Sequence, residues 1–282
     1  MCDLDTERDN DVWLTRRGFV GLGLAAAMLP TGAFAAELVK SDVQVTTPDG
    51  AADAYFVHPA SGKHPAVVIW PDILGLRPAL RGMGERLAAE GYAVLVMNPY
   101  YRKAKAPVVP EGASFRDPAI RELVMPMKQA LTADTTRRDI RAAVTWLDAQ
   151  AAVDTAKGVG TQGYCMGGPM VLWSAAEVPE RIRAAATFHG GGLATSAPDS
   201  PHLGIPKMKG RALIAIAAND DERELETKDT LRKAFAAASI PAEIEVYAGT
   251  QHGWCPPDSA VYDATSAERA WTRLLALYRD AL

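Results

Sequence analysis

Short apolar runs alternate with longer amphipathic stretches over most of the chain. The uninterrupted apolar runs at 66–70 and 92–97 are typical of strands that are buried on both faces of a parallel sheet. The stretch 132–150 instead spaces its apolar residues for one face of a helix, and 78–90 predicts another helix. Strands that alternate with helices in this way predict an α/β fold with a mostly parallel central sheet and helices on both faces.

The remaining pattern predicts one domain over residues 36–282. The turn signal Pro48-Asp49-Gly50 lies between two strand-like runs and predicts an antiparallel hairpin. Residues 99–118, rich in proline and positive charge, predict a long surface excursion. Further strands are predicted at 158–162, 184–188, 212–216 and 243–247, and further helices at 170–176 and 259–281. No linker-like stretch divides these elements, so a second domain is not expected.

The first 35 residues differ from the rest and predict a twin-arginine export signal. Arg16 and Arg17 precede an apolar run over 19–29, and a small-x-small cleavage site ends at Ala35. An apolar run of this length is shorter than the roughly 20 residues that a membrane span needs. We therefore expect cleavage after Ala35, a periplasmic or secreted mature protein, no membrane attachment of that protein, and the twin-arginine export machinery as partner of the precursor.

The overall charge narrows the class of partner. The formal net charge is −4 and no long run of like charges occurs, which argues against a nucleic-acid binder. No metal-ligand spacing, phosphate loop or dinucleotide fingerprint is present, so we expect neither a metal nor a cofactor. The three cysteines form no disulfide framework. These features favour a small-molecule substrate.

The segment 163–168 reads Gly-Tyr-Cys-Met-Gly-Gly and lies between a predicted strand and a predicted helix. This is the pattern of a nucleophile elbow, with Cys165 in place of serine. A sulfur at a helix amino terminus is favoured as the thiolate by the partial positive charge there. The backbone N–H of Met166 is expected to donate to the oxyanion of an acyl intermediate.

The elbow predicts an α/β-hydrolase fold, in which the nucleophile, the acid and the base follow one another along the chain. Asp220 and Asp221 follow a predicted strand, and His252 lies on a later loop. We expect His252 to act as the base and Asp220 to orient it, with Asp221 as the alternative acid. His189 also follows a strand and is the competing base, but it precedes any acid in the chain.

Four separated motifs resemble those of the dienelactone hydrolase family, from about residue 39 to the carboxyl terminus. They are the elbow at 163–168, His252-Gly253, Pro-Asp-Ile-Leu-Gly-Leu at 71–76 and Asn-Pro-Tyr-Tyr-Arg at 98–102. The resemblance implies that the Ile73 N–H is the second oxyanion donor and that Asp72 lies beside the thiol and controls its ionisation. It also implies that Arg102 binds a substrate carboxylate.

The chain departs from that family at two positions. Asp72 stands where the family usually has glutamate, and Pro256 stands where the dienelactone enzymes have a second arginine for the substrate carboxylate. A carboxylate held by one arginine loses part of its charge-assisted binding. Dienelactone is therefore only one candidate substrate.

The predicted function is hydrolysis of small carboxylic esters or enol lactones through an acyl-cysteine. Thiolate is a good leaving group, so substrates with activated leaving groups compete best. Tyr101 and Trp254 are candidates for an apolar substrate pocket, although burial in the core is an alternative for the tryptophan. A thioesterase or acyl transferase would use the same triad, and a non-catalytic binding protein is the alternative from another class. Cys255, three residues after His252, is a passive loop residue or a redox partner of Cys165.

Overall fold

The computed structural model describes residues 9–10 and 37–282. The predicted export signal, with Arg16, Arg17 and the cleavage site at Ala35, lies outside the described residues apart from positions 9 and 10.

The described chain is built on one eight-stranded sheet in the order β1-β2-β4-β3-β5-β6-β7-β8. β1 and β2 form the expected antiparallel hairpin, β2 pairs antiparallel with β4, and the other neighbours are parallel. The strands are β1 (Leu38–Thr47), β2 (Gly50–Pro59), β3 (Ala66–Trp70), β4 (Ala93–Met97), β5 (Val159–Tyr164), β6 (Ile182–Phe188), β7 (Arg211–Ala217) and β8 (Ala242–Tyr247). The α/β-hydrolase fold predicted from the sequence is confirmed.

Helices connect the strands and cover both faces of the sheet. They are α1 (Pro78–Ala89), α2 (Pro118–Gln129), α3 (Ala133–Asp148), α4 (Gly167–Glu177), α5 (Ala218–Arg223), α6 (Thr227–Ala237) and α7 (Ala264–Ala281), with a 3₁₀ segment at Pro201–Lys207. None of the helices in the described residues is both long enough and apolar enough to span a bilayer.

The alternating side chains of the strands supply two separate hydrophobic cores. In β3, Val68 and Trp70 pack with residues of α3, α4 and α6 on one face of the sheet. Val67 and Ile69 point to the other face, where they pack with residues of α1 and α7. All four side chains are fully buried. This explains why β3 reads as a continuous apolar run rather than an alternating one.

Several helices differ from the expectations of the sequence. The last helix begins at Ala264, not near residue 259, because the Asp263 carboxylate caps it by accepting a hydrogen bond from the Ser266 N–H at 2.9 Å. Helix α2 was not expected, and it contains Pro126. Helices α5 and α6 were not expected either, and Asp220 lies in α5 rather than in an open loop.

Candidate active site

The elbow places Cys165 between β5 and α4 with a backbone φ of 51°. Left-handed backbone is rare for a residue with a side chain, and it marks a strained turn. A Cβ on Gly163 would lie 2.3 Å from the carbonyl oxygen of Gly167, and one on Gly167 would lie 2.3 Å from that of Trp70. Two glycines are therefore required for the backbone segments to cross beneath the cysteine.

The Cys165 side chain is almost fully enclosed, since the residue is 3% exposed. Its N–H donates to the Phe188 carbonyl at 3.0 Å, which ties the turn to the neighbouring strand β6. Cys255, the other cysteine in the described residues, is a free and buried thiol.

His252 and Asp220 form a buried pair at the ends of two neighbouring strands. Asp220 lies in the short helix α5 directly after β7, and His252 lies on the loop after β8. The His252 Nδ1 lies 2.9 Å from each carboxylate oxygen of Asp220, and its backbone N–H donates to the Asn219 side chain at 2.8 Å. Because a carboxylate only accepts hydrogen bonds, Nδ1 carries the proton and Nε2 is the basic nitrogen.

The competing acid, Asp221, points elsewhere. Its two carboxylate oxygens accept hydrogen bonds from the Lys228 ammonium at 2.8 and 2.6 Å, on the neighbouring helix α6. Of the two candidate aspartates, the structure brings Asp220 to His252 and leaves Asp221 in an ion pair.

Burial and the histidine act in opposite directions on the Asp220 carboxyl. Burial by itself raises the pKa of Asp220, but the charge and hydrogen bond of His252 outweigh it and hold the pKa below its usual value. The carboxylate is therefore ionised at neutral pH. An ionised carboxylate at Nδ1 fixes the histidine tautomer and stabilises the imidazolium.

His189, the competing base, lies against His252 without reaching an acid. The two rings meet edge to face with their centroids 5.2 Å apart. Burial, followed by the neighbouring His252, lowers the pKa of His189 well below its usual value, so the ring is neutral. Within the described residues, neither ring nitrogen of His189 has a hydrogen-bond partner. It lacks the orienting carboxylate that His252 has.

The segments that carry Ile73 and Met166 are joined by Tyr100. The Tyr100 hydroxyl donates to the Ile73 carbonyl oxygen at 2.8 Å and lies 3.1 Å from the Met166 sulfur. Tyr100 itself is buried. This contact holds the loop after β3 against the elbow, which is where the sequence predicts the two oxyanion donors.

Asp72 forms part of an ion cluster that the sequence did not indicate. Its carboxylate accepts two hydrogen bonds from the Arg77 guanidinium, at 2.7 and 2.9 Å, and one from the Leu74 N–H at 2.9 Å. Arg77 also donates to Asp258 at 2.7 and 2.9 Å. Asp258 is 181 positions away in the chain, so no local pattern could have connected the two.

A cavity of about 240 Å³ brings these groups together. Cys165, His252, Asp72 and Ile73 all contribute to its wall. The other side chains on which the charge and shape of this cavity depend are Asn10, Arg77, Phe115, Arg116, His189 and Asp258. Asn10 donates to the His252 carbonyl oxygen at 3.1 Å. No group of three or more metal-binding side chains occurs in the described part of the chain.

The structure does not bring Arg102 and Tyr101 to this cavity. The Arg102 guanidinium binds Asp139 in α3, with distances of 2.9 and 2.6 Å, and Asp49 in the hairpin turn at 3.0 and 2.7 Å. The Tyr101 hydroxyl donates to Asp139 at 2.8 Å and lies 2.7 Å from the Thr47 hydroxyl. These contacts occupy the side chains that the sequence assigned to substrate binding.

Trp254 and Cys255 also do not line this cavity. Trp254 is fully buried and stacks on Tyr247 with ring centroids 4.7 Å apart, so it belongs to the core and not to the substrate pocket. Cys255 lines a different cavity with Tyr164 and Trp271, and burial raises its pKa well above the usual value. A neutral buried thiol is unreactive.

Comparison with known proteins agrees with this architecture. A carboxymethylenebutenolidase from Rhodococcus opacus is 25% identical over 249 residues, covering 85% of this chain and 91% of that protein. The structure of a dienelactone hydrolase-like promiscuous phosphotriesterase from metagenomic libraries shares the fold, with a TM-score of 0.71 and 24% identity. The match covers 86% of this chain and 98% of that chain. The structure of a dienelactone hydrolase from Anabaena variabilis shares the fold with a TM-score of 0.60 and 18% identity. The match covers 87% of this chain and 99% of that chain.

The profile of the dienelactone hydrolase family matches residues 52–282, which include the elbow, Asp220 and His252. The chain belongs to the dienelactone hydrolase family and is a carboxylic ester hydrolase.

Proposed function

We propose that this hydrolase cleaves small carboxylic esters or enol lactones through an acyl-cysteine formed on Cys165. One observation carries the proposal. Cys165 on its elbow and His252, which Asp220 holds by Nδ1, line the same cavity. A nucleophile with an oriented base is the minimum requirement for covalent acyl transfer.

In the first half of the reaction, the Cys165 sulfur attacks the ester carbonyl and the oxygen becomes an oxyanion. The backbone N–H groups of Ile73 and Met166 stabilise that charge. His252, which has taken the thiol proton, gives it to the leaving oxygen as the carbon–oxygen bond breaks. The products of this half are the acyl-cysteine and the free alcohol or enol.

In the second half, His252 takes a proton from water, and the resulting hydroxide attacks the acyl carbon. The carbon–sulfur bond breaks, the thiolate is restored and the carboxylic acid is released. Because thiolate leaves readily, the first half is efficient only when the substrate's own leaving group competes with sulfur. Enol esters, enol lactones and aryl esters satisfy that condition, and ordinary amides do not.

Asp72 has a defined place in this scheme. Its carboxylate lines the cavity with Cys165 and is held by the Arg77 guanidinium. Because Arg77 is paired with the Asp72 carboxylate, the thiol of Cys165 experiences the combined electric field of both charges. We propose that this field modulates the ionisation of the thiol.

Active-site substitutions test the acyl-cysteine. Cys165→Ala should remove turnover of p-nitrophenyl acetate and of an enol lactone, measured in the presence of a thiol reductant. Cys255→Ser is the matched control and should retain wild-type turnover, because that thiol lies in a different cavity. Mass spectrometry of the wild-type protein, acid-quenched during turnover, should show one acyl group on Cys165. Undiminished hydrolysis by Cys165→Ala would overturn the proposal.

The alternative acceptor chemistry gives a different result. A thioesterase would cleave an acyl thioester with a higher kcat/KM than the matched oxygen ester. An acyl transferase would divide the acyl group between water and an added alcohol.

We also propose that the twin-arginine signal exports the precursor and that the mature protein is periplasmic or secreted. The paired arginines at 16 and 17, the apolar run and the site at Ala35 support this. Replacing both arginines with lysine should leave the protein in the cytoplasmic fraction of a cell that has this pathway. Periplasmic recovery of that variant would contradict the proposal.

A further inference from the structure

Cys165 lies where two cavities meet. The first, of about 240 Å³, contains His252, Asp72 and Arg77 in its wall. The second, of about 310 Å³, opens on the side of the elbow that carries Met166 and α4. Cys165 contributes to the walls of both, whereas His252 contributes only to the first.

The two cavities differ in chemical character. Two arginines and two aspartates line the first: Arg77, Arg116, Asp72 and Asp258. The second has a mostly apolar wall, to which Leu131, Met166, Pro169, Met170 and Trp173 contribute, and its charged lining residues are Lys128 and Asp199. The Trp173 indole N–H donates to the Asp199 carbonyl at 2.8 Å, so the one polar atom of that ring is satisfied. Nothing in the ring then opposes contact with an apolar group.

The position of His252 decides which half of a substrate enters which cavity. The general acid must lie within hydrogen-bond reach of the leaving oxygen, so the leaving group lies in the cavity that His252 lines. The acyl group stays bound to Cys165 after that step and needs a separate space. The second cavity is the space adjacent to Cys165 that His252 does not line.

We infer that the cavity lined by Trp173 is the acyl-binding subsite and that it takes an unbranched apolar acyl chain. The inference rests on the proposed function and narrows its substrate class. A small lactone has its acyl and leaving groups joined in one ring and cannot place them in two cavities. Acyclic esters of apolar acids with polar or charged leaving groups use both cavities.

Chain-length dependence tests the subsite. With p-nitrophenyl acetate, butyrate and hexanoate, kcat/KM of the reduced full-length protein should rise roughly fourfold for each CH₂ that becomes buried. Thr195→Trp fills the mouth of the second cavity from an exposed rim position. It should flatten the chain-length series and leave the acetate rate within about twofold of wild type.

A variant of the first cavity is the matched control. Ala113 lines the cavity of His252 and does not line the cavity of Trp173. Ala113→Trp should preserve the chain-length series and lower the rate of 2-naphthyl acetate relative to phenyl acetate. Thr195→Val, which adds no bulk, should match wild type, and thermal melting establishes that each variant is folded.

The two possible failures are distinguishable. A flat chain-length series in a wild-type protein whose turnover depends on Cys165 overturns the acyl subsite alone. A series flattened by Ala113→Trp and not by Thr195→Trp also overturns it, since the halves would then be reversed. Turnover that does not require Cys165 overturns the proposed function.

Discussion

Two polar clusters begin just after buried strands, one after β7 and the other after β4. One is the buried pair of Asp220 and His252, of which His252 lines the cavity of Cys165. The other joins Arg102, Asp139 and Asp49, and holds the β1–β2 turn and the end of β4 against α3. In sequence the two look alike, because each places charged residues just after a buried strand.

The two clusters differ in what their charged groups contact. Both oxygens of Asp139 accept hydrogen bonds from Arg102, and each of the three guanidinium nitrogens of Arg102 donates to Asp139 or Asp49. Asp220 instead binds a single ring nitrogen of His252 and leaves the basic Nε2 on the opposite side of the ring. A closed cluster of ion pairs stabilises the fold, whereas a histidine that a carboxylate holds by Nδ1 is able to transfer a proton at Nε2.

The largest expected effect separates Asp220 from its neighbour. Asp220→Asn should lower kcat on the order of 10³–10⁴-fold, because an amide no longer fixes the His252 tautomer or stabilises the imidazolium. Steady-state kinetics on p-nitrophenyl acetate measures it. Asp221→Asn, which loses only the contact with Lys228, should stay within about twofold of wild type. Similar losses in both variants would contradict the assignment of Asp220.

Disrupting the cluster of Arg102, Asp139 and Asp49 should lower the free energy of unfolding without changing catalysis. Arg102→Met leaves the Asp139 carboxylate buried without its cation, which costs about 3–5 kcal/mol of the free energy of unfolding. Urea denaturation measures that loss, while KM for neutral and anionic esters should be unchanged in the folded protein. Adding Asp139→Asn should recover part of the stability. A selective rise in KM for anionic esters would instead restore Arg102 to substrate binding.

Two adjacent tyrosines sharpen the comparison, since Tyr100 serves the site and Tyr101 serves the cluster. Tyr100→Phe removes the hydrogen bond to the Ile73 carbonyl and should lower kcat about fivefold with little change in KM, as about 1 kcal/mol of positioning is lost. Tyr101→Phe should lower the melting temperature with kcat unchanged. If Tyr100→Phe loses only stability, the hydroxyl has no positioning role.

The last prediction concerns the effect of His189 on the pH dependence of the free energy of unfolding. Its pKa is lowered well below the usual 6.5, so below pH 6.5 the unfolded chain binds a proton that the folded protein does not. This stability is fully present above pH 6.5 and is lost as the pH falls, at up to about 1.4 kcal/mol per pH unit. The neighbouring groups are His252 and Asp220, and the lowered pKa of Asp220 places its own effect below pH 3.8.

Denaturation at pH 7.5, 6.0 and 5.0 measures this slope. His189→Asn suits the left-handed backbone there, where φ is 41°, and should reduce the slope. His58→Asn, at a partly exposed position, should not. An unchanged slope in His189→Asn would contradict the neutral buried ring.

Local patterns predicted most of the scaffold. Continuous apolar runs located the buried strands, and a glycine spacing located the elbow, because both depend on residues that are adjacent in the chain. Helices α2 and α6 were missed. A proline lies within α2, and neither helix begins at a motif that the sequence reading weighed.

The sequence by itself determined the strand–helix alternation and the strained turn at Cys165, since these follow from local periodicity and glycine geometry. It also determined the chain order of the proposed nucleophile, acid and base. Only the tertiary structure decided that Asp220 and not Asp221 contacts His252. It also decided that Arg102 forms an ion pair with Asp139 and that Arg77 forms one with Asp258. The physical reason is that these contacts join residues 32 to 181 positions apart, and the sheet order brings them together.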